Sequence, residues 1–109
     1  MMNYQAGDVL LVTFPHTAGG TVARRPALVL LDSGDKDVLL ARITSQGYST
    51  PYDVSLADWK GAGLLTPSVV RLHKLATIEK ALIQRPLGAL QGPDRAVVSA
   101  VLNKTLGNW

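Results

Sequence analysis

Four short stretches of this chain carry side chains able to do chemistry. Arg24-Arg25 stands directly before Pro26. A planar guanidinium suits a phosphate better than an ammonium does, because it offers two parallel donors. The plain alternative is a solvated charge pair where a strand begins. In Arg42-Ile43-Thr44-Ser45-Gln46 a strand runs into a loop. Its hydroxyls can bond phosphate oxygens or base edges, or can simply end a strand by bonding their own backbone. In Ser68-Val69-Val70-Arg71-Leu72-His73-Lys74, alternate residues of a strand share a face, so Arg71 and His73 point the same way. Arginine can hold a phosphate while histidine moves a proton near neutral pH, although both residues also suit an ordinary surface. Last comes His16-Thr17 in the glycine-rich stretch HTAGGTVA, where a lone histidine is otherwise just exposed.

Several chemistries lack their parts. The chain has two histidines and no cysteine, and neither histidine has a carboxylate pair beside it, so no metal site is expected. A hydrolase working through two carboxylates is equally unsupported. Neither the GxSxG nucleophile elbow nor the phosphate-binding GxxxxGK[ST] loop occurs. Cleavage of an RNA phosphodiester has smaller needs. The substrate brings its own nucleophile, the 2′-OH, and the protein adds a base, an acid and positive charge for the developing phosphorane. Arg25, Arg71 and His73, with Thr44 orienting, supply such a set if the fold brings them together.

The elements that must position these residues are mostly strands. Gly7–Pro15 and Ala27–Leu31 are β-branched-rich apolar runs, joined through His16–Ala23 as a hairpin, with Arg24-Arg25-Pro26 opening the return. Asp32-Ser33-Gly34-Asp35 is turn chemistry. Asp37–Thr44 reads as a third strand, Tyr52–Leu56 as a half-exposed fourth, and Ser68–Leu72 as a fifth. Ala57–Leu64 has the composition of one helical turn with Asp58 near its start. Leu75–Ile83 is read as two short strands around a tight turn at Glu79-Lys80, and Pro86 belongs on an edge or at a strand end. Gly92-Pro93-Asp94 starts a helix whose apolar face is Val98, Val101, Leu102 and Leu106, and Gly107 ends it. Strands followed by one terminal helix give an α+β class, most simply a small curled barrel capped by a helix.

At 109 residues the chain is expected to form one domain over 1–109, with a core that is largely aliphatic: 47% of residues are hydrophobic and only 6% aromatic. A net charge of +3 permits a polyanionic partner without requiring one. The N-terminus shows no signal-peptide pattern, and no apolar run approaches the ~20 residues that span a bilayer, so a cytoplasmic protein without membrane partners is expected.

In order and spacing the chain resembles the MazF/PemK (Kid) family of toxin endoribonucleases, PemK-like branch. Matching blocks are Gly7-Asp8-Val9, Arg25-Pro26-Ala27, Thr44-Ser45-Gln46, Ser68-Val69-Val70-Arg71 and the terminal helix. The resemblance implies a small SH3-like β-barrel of about 5–7 strands with a short helix and a C-terminal helix, assembled as a homodimer. It implies sequence-specific cleavage of single-stranded messenger RNA without metal or cofactor, as the toxin of a type II toxin-antitoxin system. A cognate antitoxin would lie over the site. By position, Arg25 and Thr44 match the family's active arginine and threonine, and Arg71 matches the PemK-branch arginine described as catalytic acid and phosphate stabiliser. His73 stands where that branch has an aspartate as general base, and a neutral imidazole can take that role. His16 falls in the loop of a PemK-branch histidine. Thr17, Arg24, Ser45 and Gln46 would contact RNA around this centre. Two other readings share the fold: a CcdB-type gyrase poison docking through the C-terminal helix, for which the terminal Trp109 would suit, and a non-catalytic RNA-binding barrel. The set Arg25, Thr44 and Arg71 favours the nuclease, since a gyrase poison needs none of it.

Overall fold

The short apolar runs, broken by glycine, proline and Asp-Ser turns, are realised as six strands and one helix. In the computed structural model, which describes residues 3–15 and 22–109, these are β1 (Asp8–Pro15), β2 (Val22–Leu31), β3 (Asp37–Thr44), β4 (Asp53–Ser55), β5 (Val69–Glu79), β6 (Ile83–Ala89) and α1 (Gly92–Leu106). A single 3₁₀ turn, Lys80–Leu82, links β5 to β6. The strands form one antiparallel sheet in the order β4-β5-β3-β2-β1-β6.

The sheet is strongly curled. Ile78 of β5 and Ile83 of β6 lie four places apart in the strand order, yet both pack on the cluster of Leu10, Val12, Ala27, Val29, Val38 and Leu40. Register shifts in β1–β6, β2–β3 and β3–β5 supply the extra twist that bends the strands. A second cluster forms on the other face, where Val9, Leu28, Ile43, Val70 and Leu72 meet Val98 of α1 and Leu56, Ala62 and Leu64 of the β4–β5 connection. Each valine, leucine or isoleucine among them contributes roughly 1.5–3 kcal/mol when fully buried.

The expected α+β class is the observed one, with details that differ. The sheet curls as a barrel does, but β4 and β6 remain its edges and no pairing closes it. Ala57–Leu64 is not a helical turn but a run of tight turns, in which Asp58 Oδ1 accepts from the Gly61 N–H at 2.8 Å. Asp58 thus behaves as a cap without a helix to follow, because Gly61 and Gly63 stop propagation. β2 begins at Val22, ahead of the arginines, and β5 runs on unbroken past Leu72 to Glu79. Pro86 does lie in an edge strand, β6, and α1 starts at Gly92 with Gly107 as its C-cap. Leu106 is half exposed rather than packed, and Trp109 is fully exposed.

Candidate functional site

The site follows from where β2 and β3 stop pairing. Their last pair towards this end of the sheet is Ala27–Arg42. Beyond it Val22–Pro26 stays bonded to β1, whereas Ile43-Thr44 stays bonded to β5. The sheet therefore splits between its two central strands, and the split opens into a groove of about 550 Å³. Arg24, Arg25 and Pro26 form one lip, and Thr44, Ser45 and Gln46 the other. Leu11 and Ile43 give the groove an apolar floor, and β6 contributes Arg85.

The far wall is the segment Gly63–Ser68, with Leu65 almost wholly exposed at its crest. Two features hold this wall. Gly63 adopts φ +88°, and a Cβ there would collide with the Leu87 carbonyl of β6, so only glycine allows the approach. The buried Asp94 in the first turn of α1 accepts from the backbone N–H groups of Ala57 and Asp58, both at 2.8 Å. The terminal helix thereby fixes the connection that walls the groove.

Electrostatically the groove is one-sided. Three arginines line it, and none of its described lining residues carries a carboxylate. The two ion pairs among the described residues, Arg71–Asp53 and Lys80–Asp32, use none of these three. In this partly enclosed space, unpaired guanidiniums and hydroxyls favour an anion with several acceptor oxygens. Thr44 Oγ1 already accepts from the Gln46 N–H at 3.1 Å, which leaves its own proton free to donate.

Arg71 and His73 stand beside the groove rather than in it. Alternation along the strands sets Arg25 on the face of Ala27, and Ala27, Arg42, Arg71 and Asp53 are successive partners across β2, β3, β5 and β4. Arg25, Thr44 and Arg71 therefore share one face. Arg71 lies two residues, about 7 Å, along the strand from the Thr44–Val69 pair. Arg71 Nε donates to Asp53 Oδ1 at 2.9 Å, and its guanidinium carbon lies 3.6 Å from the centre of the Tyr48 ring. Burial pushes the Asp53 carboxyl up, but hydrogen bonds from Arg71 and from Thr50 outweigh it and hold the pKa at about 2. Arg71 Nη2 also reaches His73 Nε2 at 3.4 Å, and the Tyr52 and His73 rings stand 5.1 Å apart. Since arginine can only donate, this contact occupies a lone pair on Nε2.

Of the residues singled out from sequence, Arg24, Arg25, Thr44, Ser45 and Gln46 meet in the groove, and Arg71 and His73 pair next to it. His16 and Thr17 lie outside the described residues. Arg85 and the Gly63–Ser68 wall were missed. The one local signal was Arg85 beside Pro86, which marked an edge strand but not the strand it would join. No three His, Asp or Glu side chains gather as a metal-binding group among the described residues, nor is any helix among them long and apolar enough to cross a membrane.

A curled antiparallel sheet with a terminal helix matches the fold of solved MazF toxins. A MazE–MazF structure from Deinococcus radiodurans superposes with a TM-score of 0.79 at 23% identity, covering 100% of both chains. An endoribonuclease from a mycobacterial species gives 0.76 at 19% identity, covering 100% of this chain and 97% of that one. A mycobacterial endoribonuclease in complex with its cognate antitoxin gives 0.75 at 18%, covering 97% of each. No curated protein sequence matches. The model of the PemK-like, MazF-like toxins of type II toxin-antitoxin systems matches residues 5–106, and the chain belongs to that family.

Proposed function

We propose that the protein is an endoribonuclease toxin that cleaves single-stranded RNA, messenger RNA above all, at short sequences and without a metal ion. The observation that carries this reading is the groove: three arginines and several hydroxyls, with no carboxylate among the described lining residues, at the split between β2 and β3. A single strand can lay its phosphates along such a basic groove.

In the proposed reaction the 2′-OH gives up its proton and attacks the adjacent phosphorus, and the bond to the 5′-oxygen of the next nucleotide breaks as that oxygen takes a proton from water. Arg25 binds the phosphate and stabilises the phosphorane, and Thr44 donates to a non-bridging oxygen. Arg71 is fixed by Asp53 on Nε, which leaves its terminal donors for the same phosphate. Once the phosphate takes the Nη2 donor, His73 Nε2 is released from Arg71 and can accept the 2′-OH proton as general base. His16, Thr17, Arg24, Ser45 and Gln46 contact flanking nucleotides, and Arg85 joins them. Tied to Asp53 through Nε, Arg71 acts in this reaction as a phosphate stabiliser.

The protein works in the cytoplasm as a homodimer through isologous contacts, restrained by a cognate antitoxin whose acidic segment covers the basic groove. The solved complexes of its structural relatives with antitoxin support that partner. Cleavage of a long single-stranded RNA in the presence of EDTA tests the proposal. Discrete fragments ending in 2′,3′-cyclic phosphate are expected. Intact RNA at micromolar protein sends the reading to a non-catalytic RNA-binding sheet. Light scattering at the same concentration should give twice the chain mass.

A further inference from the structure

Resting on that reading of the groove, we propose that Tyr48 is a stacking platform for one unpaired nucleobase of the bound strand. Tyr48 belongs to the connection between β3 and β4 and is 38% exposed. One face of its ring lies against the Arg71 guanidinium, so the remaining exposure belongs to the outer face and edge.

The ring is held before any ligand arrives. Beneath it, Arg71 is tied to Asp53, and Asp53 Oδ2 accepts from the Thr50 N–H at 3.0 Å and from the Thr50 hydroxyl at 2.7 Å. At its edge, the Tyr48 hydroxyl donates to Gln46 Oε1 at 3.0 Å. Gln46 lines the groove, and its N–H bonds Thr44. An unbroken series of contacts thus runs from the groove lip to Asp53. A flat apolar surface fixed in this way costs little further ordering when a base lands on it. Every base has a π face, and single strands are held by such surfaces beside basic grooves. Because Arg71 covers the inner face, one base stacks on the outer face and no second one is clamped behind it.

The test measures binding of a fluorescein-labelled, fully 2′-O-methylated single-stranded RNA, which cannot be cleaved, by anisotropy. The sequence is taken around a cleavage site mapped on a long RNA. Tyr48→Leu keeps an apolar cover on Arg71 but has no π face, and is expected to weaken binding about 5- to 150-fold. Tyr48→Phe keeps the ring and should stay within about twofold of wild type. In a scan of oligonucleotides each bearing one abasic position, the loss caused by Tyr48→Leu should vanish at a single position, the one whose base stacks there. Wild-type affinity in Tyr48→Leu, or an equal loss at every abasic position, overturns the platform. Arg25→Ala separates the two readings. Loss with Arg25→Ala but not with Tyr48→Leu removes the platform alone, and loss with neither removes the groove reading and the platform together.

Discussion

Arg85 gives the sharpest test of the groove, because sequence order hides it and only the sheet brings it in. It sits on β6 opposite Leu11 of β1, while Arg25 sits on β2 opposite Val12 of β1. The two arginine backbones are two inter-strand spacings apart, about 10 Å. Neighbouring residues Leu11 and Val12 face opposite sides of the sheet, so the two side chains leave on different faces and suit different phosphates of one strand. If Arg24, Arg25 and Arg85 each neutralise one phosphate, the logarithm of the binding constant should fall with the logarithm of salt at a slope of about −2, at roughly 0.7 per contact on a single strand. Arg85→Ala should reduce the slope to about −1.4. Between about 50 and 200 mM salt the wild type should then lose about 18-fold in affinity and the variant about 7-fold. The assay is anisotropy of an uncleavable single-stranded RNA across that range. Arg85 is exposed and makes no ion pair among the described residues, so folding should change by no more than about 0.5 kcal/mol. An unchanged slope in a normally folded Arg85→Ala protein refutes the view that the groove tracks a phosphate backbone.

Other outcomes follow from the same geometry. Arg25→Ala should lower RNA cleavage by orders of magnitude while the melting temperature moves by no more than about 4 °C, and Arg25→Lys should restore only part, for want of the forked geometry. Asp53 titrates near 2 in the folded protein, below its ordinary 3.8, so the folded state holds that proton less tightly than the unfolded chain. The stability it contributes is therefore complete above about pH 4 and lost as pH falls towards 2, and urea midpoints over that range should fall less steeply in Asp53→Asn. Gly63→Ala forces a side chain onto φ +88° and against the Leu87 carbonyl, which should cost about 2–5 kcal/mol in chemical denaturation and weaken RNA binding by moving the groove wall.

The order of elements was legible in the sequence because it rests on local rules. Strands Asp37–Thr44 and Asp8–Pro15 and the helix from Gly92 are set by β-branched-rich apolar runs, a period of 3.6, and breakers such as Asp32-Ser33-Gly34 and Gly107. Thr44 was legible as a hydroxyl at a strand end, and Arg25 as a residue type, although β2 begins three residues before it. Composition did not decide what those ends face. The split between β2 and β3 beyond Ala27–Arg42 is a competition between neighbours: β1 keeps the start of β2 while β5 keeps the end of β3. No window of a single strand contains that competition. The same reason hid Arg85, whose partner Leu11 lies 74 positions earlier in the chain. It also hid Asp53, which local alternation marks only as the polar side of a short strand, and which becomes the anchor of Arg71 through the β4–β5 pairing. The turns at Ala57–Leu64 show the limit from the other side. Asp58 is a good cap by type, but two glycines and the buried Asp94 of a distant helix decided that the segment would be a wall. Sequence thus determined which elements form and which side chains can do chemistry, whereas long-range strand pairing decided which of them share a groove, because pairing energies arise between segments that the chain order separates.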